Sequence, residues 1–82
     1  MTDFKSEEYG VLQKLMDILF ASRKRVDKVD LLLLGEVHDI HPDLMELINN
    51  IPPGSYDREK LANQINSAVS GRGWGMVYGT VE

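Results

Sequence analysis

The chain has 82 residues, a mass of 9.3 kDa, no cysteine, 43% hydrophobic residues and a formal net charge of −4. That length suits one compact domain, residues 1–82. Without cysteine there is no disulfide framework, no thiolate metal site and no cysteine nucleophile. Charged residues at 27%, set among ample Leu, Ile and Val, do not give a disordered composition.

Residues 1–8 are polar and acidic and lack the basic and apolar regions of a secretory signal. No apolar run exceeds four residues, as at 31–34, whereas a bilayer span needs about 20. The expectation is a soluble cytoplasmic protein without membrane attachment.

A first helix is predicted over residues 4–22. Tyr9, Leu12, Leu15, Met16, Leu19 and Phe20 recur at spacings of three and four. Thr2, Asp3 and Ser6 are candidate N-caps, and Gly10 weakens the interior by about 1 kcal/mol relative to Ala. The next stretch admits two readings. Val26, Val29, Leu33, Val37 and Ile40 fit a helical stripe, capped by Asp27 and broadened by Leu31, Leu32 and Leu34. A helix apolar on most sides is expected at the centre of its bundle. The alternative is a short buried strand over 31–34 ended by Gly35; helix is preferred, because Leu is a helix former and β-branched residues are sparse there.

Asp39-Ile40-His41-Pro42 reads as a break, with Pro42 at the first position of a third helix bearing Leu44, Leu47, Ile48 and Ile51. Pro52-Pro53-Gly54-Ser55 stops any helix. A fourth begins near Asp57, capped by Ser55 or Asp57, with Leu61, Ala62, Ile65, Ala68 and Val69 on one face and Gly71 as a left-handed C-cap. After the glycine turn, Trp74, Met76, Tyr78 and Thr80 alternate with Gly75, Val77, Gly79 and Val81, the period of a strand. The expected fold is mainly α, three or four short helices with a C-terminal glycine turn and β-strand, becoming a small α+β fold if that strand pairs.

An unpaired strand is adhesive, so it must pair within the chain, with another copy, or with a sheet of another protein. This makes Trp74, Met76, Tyr78 and Val81 the candidate interaction residues, and a homo-oligomer or another protein the expected partner; core packing is the competing role for the same side chains. The alternative is a helix-turn-helix that reads DNA through Arg58, Asn63, Gln64, Ser67 and Arg72 on the fourth helix, residue types able to contact base edges. Charge argues against it. Residues 52–82 carry three cations and three anions, a weak footprint for phosphate, while the six cations and ten anions of residues 1–51 hold the whole net charge.

The glycines follow a helix and precede a strand, the wrong polarity for a phosphate cradle. The basic group Arg23, Lys24, Arg25 and Lys28 is interleaved with Asp27 and Asp30, as in a solvated helix end. His38 and His41 lie among carboxylates, but Pro42 interrupts the helix that would align them and no third ligand is specified. No nucleophile motif is present. The reading is a non-enzymatic interaction module, with no catalytic residues, metal or cofactor expected.

Overall fold

The structure is a computed structural model and describes residues 8–82. Its elements in order are α1 (Val11–Leu19), β1 (Arg25–Asp27), α2 (Lys28–Val37), α3 (Pro42–Asn49), β2 (Ser55–Asp57), α4 (Arg58–Gly71) and the single turn α5 (Gly75–Tyr78). The fold is small, mainly helical and of the α+β kind, as expected, but its strands are not where the alternation placed them. They are three-residue segments paired antiparallel, with Arg25 opposite Asp57, Val26 opposite Tyr56 and Asp27 opposite Ser55.

Each strand runs directly into a helix through an aspartate. Asp57 caps α4, its Oδ1 accepting the Lys60 N–H at 2.8 Å. Asp27 stands at the N-cap of α2, and the Asp30 carboxylate reaches back to accept its N–H at 2.9 Å. These contacts satisfy amides that the first helical turn leaves without partners. Pro42 opens α3, where its missing N–H costs nothing, and His41 Nδ1 accepts the Asp43 N–H at 3.0 Å.

One apolar core joins Leu12, Leu15, Met16 and Leu19 of α1 to Leu31 of α2, Leu44, Leu47 and Ile48 of α3, and Leu61, Ile65 and Val69 of α4. Val26 closes it from β1, and Tyr78 and Val81 from the C-terminal segment. Among the described residues no polar or charged residue is buried.

Several expectations need correction. The first helix begins at Val11, because Gly10 takes a left-handed φ of 87° and sits before the helix instead of inside it; the caps proposed at Thr2, Asp3 and Ser6 lie outside the described residues. The left-handed stop of α4 is Gly73, φ 69°, and not Gly71, which is still helical. The Trp74 N–H returns to Val69 O at 2.9 Å and the Gly73 N–H to Ser70 O at 3.0 Å, the paired bonds of a Schellman ending. Residues 31–34 are helical, as preferred, but α2 is not central. Leu31 and Gly35 face the core, while Val29, Leu33 and Val37 are 58%, 55% and 78% exposed.

The strand expected over residues 74–81 is replaced by α5 and a short extended tail. Trp74 and Tyr78 are four apart, so they satisfy a helical period as well as the alternating one, whereas Val81 follows Tyr78 by three and falls on the other face of the alternation. Packing selects the helical one: Tyr78 and Val81 are buried and Trp74 lies edge-on to Tyr78, ring centroids 5.3 Å apart.

Candidate functional site

On α2, Leu31 and Gly35 lie on one side of the helix, and Leu33 and Val37 about 200° away, given ~100° per residue. Gly35 fixes which side faces inward. A Cβ there would stand 2.8 Å from Met45 Sδ and 2.9 Å from Ile40 Cδ1, so the inner side of α2 approaches α3 closely. Everything opposite is turned outward: Val29, Leu33 and Val37 at intervals of four, joined by Ile18 of α1, which is 41% exposed. Between α1 and α2 this face forms an open groove of about 350 Å³ floored by Leu19 and Leu34 and walled by Ile18, Leu33 and Val37. At one end Arg23 Nη1 and Asp30 Oδ2 are 3.4 Å apart, an exposed ion pair that rims the groove. The stripe was visible in the sequence but read as core-facing. A glycine in mid-helix was the signal that Leu31 and Gly35, not Val29, Leu33 and Val37, marked the packed side.

The C-terminal candidates divide. Trp74 is half-buried, Met76 is 71% exposed, and Tyr78 and Val81 are buried. The tail needs no partner strand for its last two residues. The Asn66 amide receives the Val81 N–H on Oδ1 at 2.7 Å and donates Nδ2 to Val81 O at 2.8 Å. Gln13 repeats this at Glu82, accepting its N–H at 2.8 Å and donating to its main-chain oxygen at 3.3 Å. Two side-chain amides, one from α4 and one from α1, thus supply the pairing that a neighbouring strand would give. Tyr78 donates its hydroxyl to Asp43 Oδ2 at 3.4 Å, and burial first, then the Asp43 charge, pushes its ionisation above the usual phenolic value.

On α4, Asn63, Gln64 and Ser67 are exposed, as is Arg72 just beyond it, whereas Arg58 is half-buried. Arg58 pairs with Asp17, donates Nε to the Glu82 main-chain oxygen at 3.0 Å and lies over the Phe20 ring. That guanidinium, followed by the Gln13 amide, holds the Asp17 carboxyl below the usual carboxylate range. Arg72 stacks over Trp74, 5.4 Å from the ring centroid. The α3–α4 connection contains β2 and is longer than the 3–4-residue turn of a compact helix-turn-helix, and no C-terminal strand is present to act as a wing.

His38 ends α2 and His41 caps α3, both exposed. Among the described residues no three His, Cys, Asp or Glu side chains are grouped so as to hold a metal ion, and no helix is long and apolar enough to cross a membrane. No protein-family model, curated protein or solved structure matches the chain.

Proposed function

We propose that the chain is a non-enzymatic protein-interaction module that associates with itself through the outer face of α2. The observation that carries this is the exposed stripe Val29, Leu33 and Val37 beside Ile18, an apolar patch on a chain whose α3 and α4 turn their large apolar residues inward. Contiguous exposed apolar surface of this kind marks interaction sites on small proteins. The expected C-terminal route has lost its basis, since the segment forms a helical turn and its last two residues are paired to Gln13 and Asn66.

The patch sets the strength. Fully burying a Val or Leu is worth about 1.5–3 kcal/mol, so half-exposed side chains contribute about 1 kcal/mol each. Eight such side chains across two copies barely exceed the several kcal/mol lost on association. The resulting dimer is weak, with dissociation in the millimolar range. Sedimentation equilibrium from about 10 μM to 1 mM tests it: the mass rises from 9.3 kDa towards twice that value, and Leu33→Lys holds it at the monomer. A wild-type monomer throughout, or a Leu33→Lys chain that associates equally well, contradicts the proposal.

A further inference from the structure

We infer that residues 80–82 are a strap that opens and recloses without unfolding the core, and that Asp17 is the positioning residue that holds it shut. The strap follows Gly79, whose φ of 84° turns the chain out of α5. Glycine takes that backbone readily and leaves the chain free to swing there. Beyond it a single side chain, Val81, is buried, while Thr80 and Glu82 are exposed. The main-chain bonds of Val81 and Glu82 go to side chains of α1 and α4, and those at Glu82 are open to solvent. A segment with one apolar anchor and solvent-exposed bonds lies at the low end of local stability, where opening does not need global unfolding.

Asp17 acts on the strap through two other side chains. Its Oδ1 accepts from Gln13 Nε2 at 3.0 Å and from Arg58 Nη2. Each of these side chains donates again to one strap atom, the Glu82 main-chain oxygen, Gln13 Nε2 at 3.3 Å and Arg58 Nε at 3.0 Å. Gln13 and Asp17 are one turn apart on α1, and Arg58 opens α4, so one carboxylate orients a donor from each helix that flanks the strap. With Gln13 Nε2 drawn to Asp17, Oε1 is the atom left to accept the Glu82 N–H, at 2.8 Å. Asp17 thereby selects which end of the Gln13 amide the strap N–H meets. The Phe20 ring, its centroid 6.0 Å from the Arg58 guanidinium, limits where that group can turn. Without the carboxylate, Gln13 and Arg58 gain rotamers that face water, and the closed strap loses population.

Amide exchange followed in 1H–15N spectra tests both halves. The Val81 N–H is the reporter, because its acceptor, Asn66 Oδ1, is kept in every variant. In the wild type Val81 is expected to exchange at least about tenfold more slowly than an unstructured chain. Its rate should stay unchanged in sub-denaturing urea, since a local opening exposes little surface, while buried Ile65 of α4 exchanges faster with each increment. Asp17→Ala is expected to speed Val81 exchange about two- to fivefold, the effect of losing an exposed ion pair. Asp17→Asn, which keeps an acceptor oxygen, should fall between. In a chain carrying both Gln13→Ala and Arg58→Ala, adding Asp17→Ala should change the rate by less than about 1.5-fold. An unprotected Val81, or a Val81 rate that rises with urea in step with Ile65, overturns the independent strap. An unchanged Val81 rate in Asp17→Ala, or an effect equally large in the doubly substituted chain, overturns the positioning role.

Discussion

Asn66 and Gln13 show how single side chains can complete an element that lacks a strand. Each offers one acceptor and two donors, enough to satisfy both the N–H and the C=O of one extended residue. Replacing Asn66 by Ala leaves the Val81 N–H and C=O unpaired at a partly buried site. We expect a loss of about 1–3 kcal/mol in urea unfolding, with Asn66→Asp intermediate because it keeps the acceptor and loses the donor. Tyr78 makes a second prediction. Its ionisation lies higher in the folded chain than the ordinary 10.0, so the folded state holds that proton more tightly than the unfolded one. The contribution is fully present below about pH 10 and falls away as pH rises past the unfolded value. Thermal melts between pH 8 and 11 should therefore show an alkaline loss of stability that is shallower in Tyr78→Phe.

The ends of the helices carry most of the local instruction, and α4 offers the sharpest contrast. Gly71 is helical with nothing within 4 Å of an added Cβ, whereas Gly73 has a left-handed φ of 69°. Gly71→Ala should stabilise by about 0.5–1 kcal/mol through helix propensity and lower unfolded-state entropy, and Gly73→Ala should destabilise by about 1 kcal/mol or more. Denaturant midpoints of the two variants on opposite sides of the wild type would bear this out. The same features explain how far the fold could be read from the residues. Apolar spacings of three and four, with Asp27, Pro42 and Asp57 as starts, were enough for the four longer helices. The two strands were not legible, since three residues cannot display an alternation and each is fused to a helix cap. The C-terminal segment misled because Trp74 and Tyr78, four apart, fit both periods and only packing decides between them. The outer face of α2, proposed above for interaction, was hidden for a different reason: α2 is apolar nearly all round, and its inward side is set by the close approach of Gly35 to Met45 and Ile40, residues of the following helix and loop.

The described residues have a Cα radius of gyration of 12.0 Å, close to the ~11–12 Å of a globular chain of this length. Its one core draws on all the longer helices, yet α2 gives that core only one flank and leaves the other as apolar surface. Burying that flank against a second copy covers the largest exposed apolar side chains of α2 at the cost of ordering few groups, since they stand on a preformed helix. Met76 is also exposed, but it is flanked by Gly75 and the half-buried Val77, not by a stripe. The most direct measurement is a dilution series of 1H–15N amide spectra from about 1 mM to 10 μM. The account predicts that shifts moving with concentration map to Ile18, Val29, Leu33 and Val37 and their neighbours, and that they stop moving in Leu33→Lys. Concentration-dependent shifts confined to residues 74–82, or none at any concentration, would contradict it.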